Sequence, residues 1–194
     1  MSSLSQLMEL ALQEASAAFA HADVPVGAVV ADASGRILAR RHNERELRGD
    51  PTAHAEILAL RDAADAVGGW RLDGCLLVVT LEPCPMCAGA ALAARVDTIA
   101  FGAVDPKAGA CGSLYNLAAD PRLNHEIALV PEIAAEASAA LLRRFFAERR
   151  PSRGGEQEAG TLPARRDARA AESDGLEKGS ALIVPSARAS CRSL

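Results

Sequence analysis

Two hydrophobic patterns alternate along residues 1–150, one typical of helices and the other of strands. Apolar side chains three or four positions apart predict helices, at 4–19, 51–66, 85–94 and 131–150. Short apolar or β-branched runs bounded by turn residues predict strands, at 24–31, 35–41, 75–81, 96–104 and 125–130. The turn DASG makes the first two strands a hairpin. Strands that interleave with helices predict an α/β domain whose sheet is largely sandwiched between helical layers.

The composition changes near Pro151. Residues 151–194 are rich in Gly, Ser, Ala, Arg and Glu and contain no aromatic residue. Such a segment buries too little apolar surface to offset its ordering entropy. We therefore predict a folded domain over 1–150 and a disordered low-complexity tail over 151–194, in which ALIV at 181–184 is the one apolar patch.

Charge and cysteine content narrow the class of protein. The net formal charge of −4 weighs mildly against a nucleic-acid partner, because such proteins are often basic. The cysteine count, which is odd, does not fit a small secreted disulfide framework, so reduced thiols and metal binding fit better. The first residues lack the basic start of a signal peptide, and no uncharged run approaches the roughly 18–20 apolar residues of a membrane span. We expect a cytoplasmic protein with no membrane partner.

The stretch from His54 to Cys87 carries the candidate chemistry. His54 lies in the first turn of its predicted helix, and Cys84 stands between two prolines where a strand ends and a helix begins. Cys84 and Cys87 are three residues apart, a spacing that brings both thiols to one point in a helix-starting turn. Thiolates there also gain from the positive end of the helix dipole. Three protein ligands leave the fourth position of a tetrahedral zinc ion for water, whose pKa falls toward 7.

Glu56 follows His54 by two residues, so its carboxylate can lie beside the metal without being a ligand and act as general acid and base. Taken separately, these residues also have structural interpretations. A short HxE match is common, CxxC also suits structural zinc or redox use, and His54 also suits a buried core histidine. Together they favour a catalytic zinc site. As a fourth ligand, Cys75 lies a strand's length from Cys84, whereas Cys111 in the loop KAGACGS is harder to exclude.

The HxE…PCxxC pattern resembles that of the zinc-dependent nucleobase deaminases. Further segments resemble bacterial tRNA-specific adenosine deaminases: PVGAVV at 25–30, DPTAHAEILALR at 50–61, LEPCPMCAGA at 81–90, FGAVDPKAGACGSL at 101–114, DPRLNHEI at 120–127 and LLRRFFAERR at 141–150. The resemblance covers nearly all of residues 5–150 and stops before the tail. It implies the cytidine-deaminase-like fold, a three-layer α/β/α sandwich with a mixed five-stranded sheet.

The resemblance also implies a function. The expected reaction is hydrolytic deamination of adenosine to inosine at the wobble position of a tRNA anticodon. One Zn2+ per subunit would be held by His54, Cys84 and Cys87, and Glu56 would be the catalytic residue that moves protons. The family implies a homodimer that binds the anticodon stem-loop, and no DNA partner. Helix 85–94 is a candidate for the dimer interface, although its alanines fit a core helix equally well.

Other residues match substrate-contacting positions of the family. Asn43 is expected to contact the base, although an isolated asparagine more often caps a loop, and Ala55 is expected to offer its backbone amide. The remaining predicted substrate-binding residues are Val26 and Leu81 as apolar walls, and Asp105, Asn124, Phe146 and Arg149 toward the RNA. Val104 departs from the family, because relatives often carry Arg there, and its presence removes one phosphate contact.

Two other functions use the same residues. A deaminase of a free nucleobase or nucleoside, such as guanine, cytosine or cytidine, would need the same zinc chemistry and no RNA groove. A zinc-stabilised binding protein without turnover would not need an unliganded carboxylate at Glu56. Removal of zinc would unfold a purely structural site, whereas a catalytic site would first lose its activity.

Overall fold

A five-stranded sheet covered by helices on both faces forms the fold. The computed structural model describes residues 2–149, so the predicted tail at 151–194 lies outside the described residues. The helices are α1 (Leu4–Ala17), α2 (Arg45–Arg48), α3 (Ala55–Val67), α4 (Pro85–Ala94) and α5 (Ala135–Glu148), with a 3-10 turn at Ala18–His21. The strands are β1 (Gly27–Ala31), β2 (Ile37–His42), β3 (Leu76–Leu81), β4 (Thr98–Ala103) and β5 (Ala128–Val130).

The sheet is mixed, as predicted, with the strand order β2-β1-β3-β4-β5. β1 pairs antiparallel with both β2 and β3, whereas β3, β4 and β5 run parallel. The carboxyl ends of β3 and β4 therefore meet at the same edge of the sheet. Open α/β sheets bind their ligands in the crevice outside such an edge.

Alternation along the strands gives the sheet two apolar faces. Val29 of β1, Val78 of β3 and Ala100 of β4 pack with α1 on one face. Their neighbours Val30, Val79 and Phe101 point to the other face and pack with α3 and α4. Because successive side chains of a strand point to opposite faces, a strand buried on both sides must be apolar throughout. β1 and the centre of β3 meet this requirement and form the middle of the core.

Gly27 allows α1 to lie directly against β1. A Cβ atom at this position would lie 2.0 Å from the Ala11 carbonyl oxygen and 2.5 Å from the Ala15 nitrogen. Both contacts are with backbone, which cannot move aside as a flexible side chain can. Only glycine fits this close approach of helix and strand.

Several element boundaries differ from the sequence prediction. α3 begins at Ala55, not at residue 51, and His54 is its N-cap. α5 begins at Ala135, not at 131, because Glu132 and Ala134 have left-handed backbone conformations with φ of 63° and 53°. β5 is confined to three residues, and the short helix α2 was not predicted. Among the described residues, no helix is long and apolar enough to cross a membrane.

Candidate metal centre and active site

Two helix starts face each other at the edge of the sheet and bring three ligands together. His54 is the N-cap of α3, and Cys84, after β3, is the N-cap of α4. Neither side chain makes a capping hydrogen bond, so both are free to point toward a metal. Cys87 lies one turn into α4 and is fully buried. The helix dipoles of α3 and α4 place partial positive charge at both starts, which favours thiolates there.

The distances among the three ligand atoms fit one zinc ion. The Cys84 and Cys87 Sγ atoms are 3.6 Å apart, and the His54 Nδ1 atom lies 3.7 Å from the first and 3.5 Å from the second. Zn–S bonds of about 2.3 Å and Zn–N bonds of about 2.0 Å at tetrahedral angles require separations of roughly 3.5–3.8 Å. Among the described residues, these three form the one group of His, Cys, Asp or Glu ligand atoms close enough to hold a metal.

The protonation of the three groups is linked. Because the Cys84 and Cys87 sulfur atoms share a hydrogen bond, the pKa of Cys84 falls to about 4 and that of Cys87 rises. The same Cys84 sulfur raises the pKa of His54 through a hydrogen bond. A zinc ion binds thiolates and a neutral imidazole, so zinc binding would release the protons that these groups hold.

Glu56 occupies the first turn of α3 and is 4% exposed. Burial raises the pKa of its carboxyl group, an effect that the positive charge on His54 opposes. Within residues 2–149, no basic side chain forms an ion pair with it. A buried carboxyl group with a raised pKa, beside three metal ligands and not among them, has the properties of a general acid and base.

Asn43, at the end of β2, supports the start of α3. Its Oδ1 accepts a hydrogen bond from the Ala55 amide at 2.9 Å, and its Nδ2 donates to the Val24 carbonyl at 3.1 Å. Asn43 thus supplies the capping acceptor that His54 does not provide. The Ala55 N–H is used within the protein, which differs from the expected substrate contact. One N–H and one lone pair of the Asn43 amide remain for a ligand.

The two cysteines considered as fourth ligands lie outside the metal group. Cys75 precedes β3 and Cys84 follows it, so the length of a six-residue strand, about 20 Å, separates them. Cys111 is buried, and burial followed by the charges of Glu82, Glu56 and Cys84 raises its pKa to about 12. Its thiol therefore stays protonated beside the site.

Three other predicted site residues lie near the same edge of the sheet. Val26 precedes β1 and is 5% exposed in the core cluster beneath the site. Leu81 ends β3, three residues before Cys84, and packs against the same cluster. Asp105 follows β4, and its Oδ1 accepts hydrogen bonds from the amides of Lys107 and Ala108, so its carboxylate shapes the loop.

Asn124 lies apart from the metal group within this chain. Its side chain accepts a hydrogen bond from Arg95 at 2.8 Å. Arg95 is the C-cap of α4, whereas Cys84 is the N-cap, and the helix between them spans roughly 15 Å. Within a single chain, Asn124 is therefore too far from the metal ligands to contact a substrate bound there.

Phe146 and Arg149 lie at the end of α5. Phe146 is 51% exposed and meets the buried ring of Phe145 edge to face. Arg149 stacks over Phe145 at 3.6 Å and donates to the Ala22 carbonyl at 2.7 Å. Arg149 also lines a groove of about 370 Å³ with Arg45. The groove also contains the acidic residues Asp23 and Glu46, and none of the three metal ligands lines it.

The turn after β3 contains a residue that the sequence prediction missed and that binds the loop after β4. Glu82 is 2% exposed and accepts hydrogen bonds from the amides of Asp105, Cys111 and Ser113 and from the Ser113 hydroxyl. In the sequence Glu82 is one acidic residue next to a proline, and its partners follow more than 20 positions later. No local pattern connects them.

The mixed sheet, the His–Cys–Cys group at two helix starts and the buried glutamate define the class of zinc-dependent nucleobase deaminases. The family model "Cytidine and deoxycytidylate deaminase zinc-binding region" matches residues 1–103. A tRNA-specific adenosine deaminase of Bacillus subtilis (strain 168) is 46% identical over 143 residues, which are 74% of this chain and 88% of that relative. The chain belongs to this deaminase family and, within it, to the group of tRNA-specific adenosine deaminases.

Solved structures agree with this assignment. A structure from a study of A-to-I editing by tRNA:A34 deaminases has a TM-score of 0.69 and 43% identity, and the match covers 71% of this chain and 99% of that one. Guanine deaminase from Nitrosomonas europaea has a TM-score of 0.64 and 27% identity, over 76% of this chain and 86% of that one. The same fold thus serves both the RNA-directed and the free-base reaction.

Proposed function

We propose that this protein converts adenosine to inosine at the wobble position of a tRNA anticodon by zinc-dependent hydrolysis. The observation that carries the proposal is the buried Glu56 carboxyl group beside three ligand atoms spaced for one zinc ion. A binding protein would not need this carboxylate. The curated relative from Bacillus subtilis directs the choice of substrate toward tRNA.

The chain's own residues account for the proton transfers. Zinc, when bound by His54, Cys84 and Cys87, lowers the pKa of water and makes it a nucleophile at neutral pH. Glu56 takes a proton from the attacking water, delivers it to the purine ring nitrogen, and then assists protonation of the departing amino group. One water molecule is consumed and one ammonia is released. The raised pKa of Glu56 helps it retain the proton between these steps.

Asn43 and the walls of the site would position the base. The remaining N–H and lone pair of Asn43 can bind a purine edge, and its bonds to Ala55 and Val24 fix its orientation. Val26 and Leu81 offer apolar contact to the ring. A base held between apolar walls must first leave its stack, which a single-stranded anticodon loop permits at low cost.

The groove that contains Arg45 and Arg149 offers two cations to the RNA backbone. Asp23 and Glu46 also line it, and Phe146, next to the lining residue Phe145, is exposed. Phosphate contacts with a few cations can bind a compact loop although the whole chain is acidic. Asp105 and Asn124 are further proposed contacts. Because Asn124 lies at the far end of α4, it would reach RNA bound at the partner's site of a dimer or RNA outside the anticodon loop.

A homodimer in the cytoplasm completes the proposal. An apolar groove of about 410 Å³ runs between α3 and α4, and its lining includes Leu60, Ala94 and Trp70, which is 61% exposed. A second copy of the chain would cover these surfaces.

The cytoplasm, where tRNA is processed, also keeps the metal-binding thiols reduced. Neither a DNA partner nor a membrane partner is part of the proposal.

A comparison of substrates tests the proposal against the free-base alternative. The zinc-loaded enzyme would be given an anticodon stem-loop with adenosine at the wobble position and, separately, guanine, cytosine and cytidine. Ammonia release and inosine content would be measured for each. We expect turnover of the RNA alone. Turnover of guanine with the RNA unchanged would preserve the zinc chemistry and reject the proposed substrate.

A further inference from the structure

Glu82 is a buried carboxylate that does not bind the metal. It follows β3 and stands two residues before Cys84, with 2% of its surface exposed. Among the described residues, no basic side chain pairs with it. A buried charge without an ion pair must be stabilised by hydrogen bonds. The partners that stabilise it all belong to the loop after β4.

Four donors of that loop converge on the two oxygens. The Oε1 atom accepts from the amides of Cys111 at 3.0 Å and Ser113 at 2.9 Å. The Oε2 atom accepts from the amide of Asp105 at 2.9 Å and from the Ser113 hydroxyl. The residues from 105 to 113, called here the 105–113 loop, are therefore closed around one side chain.

Only a side chain whose two terminal atoms are both acceptors, such as a carboxylate, can accept hydrogen bonds from all of these donors. A glutamine at position 82 would place its NH2 group against backbone N–H donors in either orientation. One orientation opposes the amides of Cys111 and Ser113, and the other opposes the amide of Asp105. A backbone N–H cannot be rotated away as a hydroxyl can. The charge-neutral replacement should therefore release part of the loop.

The loop is also tied to the turn that carries the metal ligand. The Ala110 amide donates to the Pro83 carbonyl at 2.8 Å, directly before Cys84. A Cβ atom on Gly109 would lie 2.4 Å from the Glu82 carboxyl group and 2.6 Å from the Asp105 carbonyl oxygen. The loop backbone thus passes so close to Glu82 that only glycine fits.

The outer part of the loop faces solvent beside the metal group. The Asp105 carboxylate accepts hydrogen bonds from the amides of Lys107 and Ala108, and Lys107 is exposed. Through Glu82, the position of this cation is linked to that of Cys84. A shift of the loop would move Lys107 without changing any metal ligand.

We propose that Glu82 is a positioning residue that fixes the 105–113 loop against the Cys84 turn and thereby sets where Asp105 and Lys107 meet the RNA. The contact with RNA rests on the proposed function, whereas the link between Glu82 and the loop does not. Glu82 acts through the loop and touches neither the metal nor the base. Its loss should impair binding of the RNA more than the chemical step.

The experiment compares Glu82→Gln with the wild type in three measurements. Zinc content should stay at the wild-type value. Amide hydrogen exchange of the peptide covering 105–113 should become faster. The KM for the anticodon stem-loop should rise about tenfold at nearly unchanged kcat, the pattern of lost binding that substrate and transition state share.

Thr80→Val is the matched control for simple destabilisation. Thr80 is 2% exposed in β3, the strand that precedes Glu82, and its hydroxyl accepts a hydrogen bond from the Gly27 amide of β1 at 3.1 Å, on the side away from the loop. Its loss should lower stability and leave both loop exchange and KM unchanged. If both variants changed KM alike, Glu82 would be structural only and the proposal would be wrong.

Gly109→Ala provides a second route if Glu82→Gln does not fold. The added methyl group pushes the loop away from Glu82 while all of the original hydrogen-bonding groups remain. Faster exchange over 105–113 with a raised KM would support the proposal, and unchanged exchange with an unchanged KM would overturn it. If the wild type did not act on RNA, the proposed function would fail, and loop exchange in these variants would still decide the role of Glu82.

Discussion

At the scale of single residues, the metal centre depends on the use of N-cap positions for ligands. The usual N-cap residues are Ser, Thr, Asp and Asn, whose side chains bond the first helix amides. His54 and Cys84 occupy these positions without capping, and at α3 the missing acceptor comes from Asn43. Asn43→Ala would therefore disturb His54 as well as any base contact. Metal ligation and helix capping are thus carried out by different residues.

The role of Glu56 gives the first prediction. Glu56→Gln should lower kcat by at least about 10²–10⁴-fold, because the amide cannot accept and return the proton. Zinc content should be unchanged, since Glu56 is not one of the three ligands. Metal analysis and single-turnover kinetics of the same preparation measure both quantities.

Glu9→Gln is the matched control for this variant. Glu9 is an exposed residue of α1, on the opposite face of the sheet from α3. The control should retain full activity. A Glu56→Gln enzyme that turns over as fast as this control would remove Glu56 from the mechanism.

At the scale of elements, α5 carries a buried hydroxyl group without a partner. Ser138 is 1% exposed, and its Oγ is the one buried side-chain polar atom without a hydrogen bond among the described residues. An unsatisfied buried polar group costs about 1–3 kcal/mol. Alanine at this position removes the group without adding volume against Gly102, which Ser138 contacts closely.

Ser138→Ala should therefore stabilise the protein. We expect the free energy of unfolding to rise by about 1 kcal/mol, measured by denaturant titration of the zinc-loaded protein. Ser16→Ala in α1 is the control, because Ser16 is an exposed helical serine whose hydroxyl is already satisfied by donating to the Leu12 carbonyl at 2.9 Å. A gain at Ser138 no larger than that at Ser16 would mean that the Ser138 hydroxyl is satisfied in solution.

The elements also show what the sequence could and could not predict. The α/β class and the candidate ligands followed from local patterns, because apolar strands and the HxE and CxxC spacings are short-range signals. The mixed sheet was expected only from the resemblance to the deaminases. The start of α5 was misplaced because Glu132 and Ala134 adopt left-handed conformations that neither residue type favours. α2 has four residues, too few to show a helical period. It is stabilised by a hydrogen bond from the Glu46 amide to Asp23, 23 positions earlier in the sequence. The Glu82 contacts were missed for the same long-range reason.

At the scale of the whole molecule, the apolar groove between α3 and α4 remains uncovered in one chain. Trp70, which lines it, is 61% exposed, and half of the lining residues are alanines. Exposed apolar surfaces of this kind mark protein interfaces. α3 and α4 also carry the metal ligands, so a dimer formed through them would place two active sites near its interface.

Light scattering of the purified protein tests the dimer. The wild type should have a molar mass twice the 20.2 kDa of the chain. Trp70→Glu should lower it toward the monomer value, because the interface would bury a carboxylate without a partner. Leu47→Glu changes a side chain of similar exposure, 58%, outside the groove and should leave the mass unchanged. A monomeric wild type would contradict the dimer.

The position of the deaminated base tests the central claim most directly. The zinc-loaded wild type would be incubated with two anticodon stem-loops that differ only in whether adenosine stands at the wobble position or one nucleotide away. Nuclease digestion and mass spectrometry would locate inosine in each RNA. The proposed function predicts inosine at the wobble position of the first RNA and none in the second, with the Glu56→Gln enzyme inactive on both. Absence of inosine from both RNAs with a fully loaded wild-type enzyme, or equal conversion of both, would contradict the account.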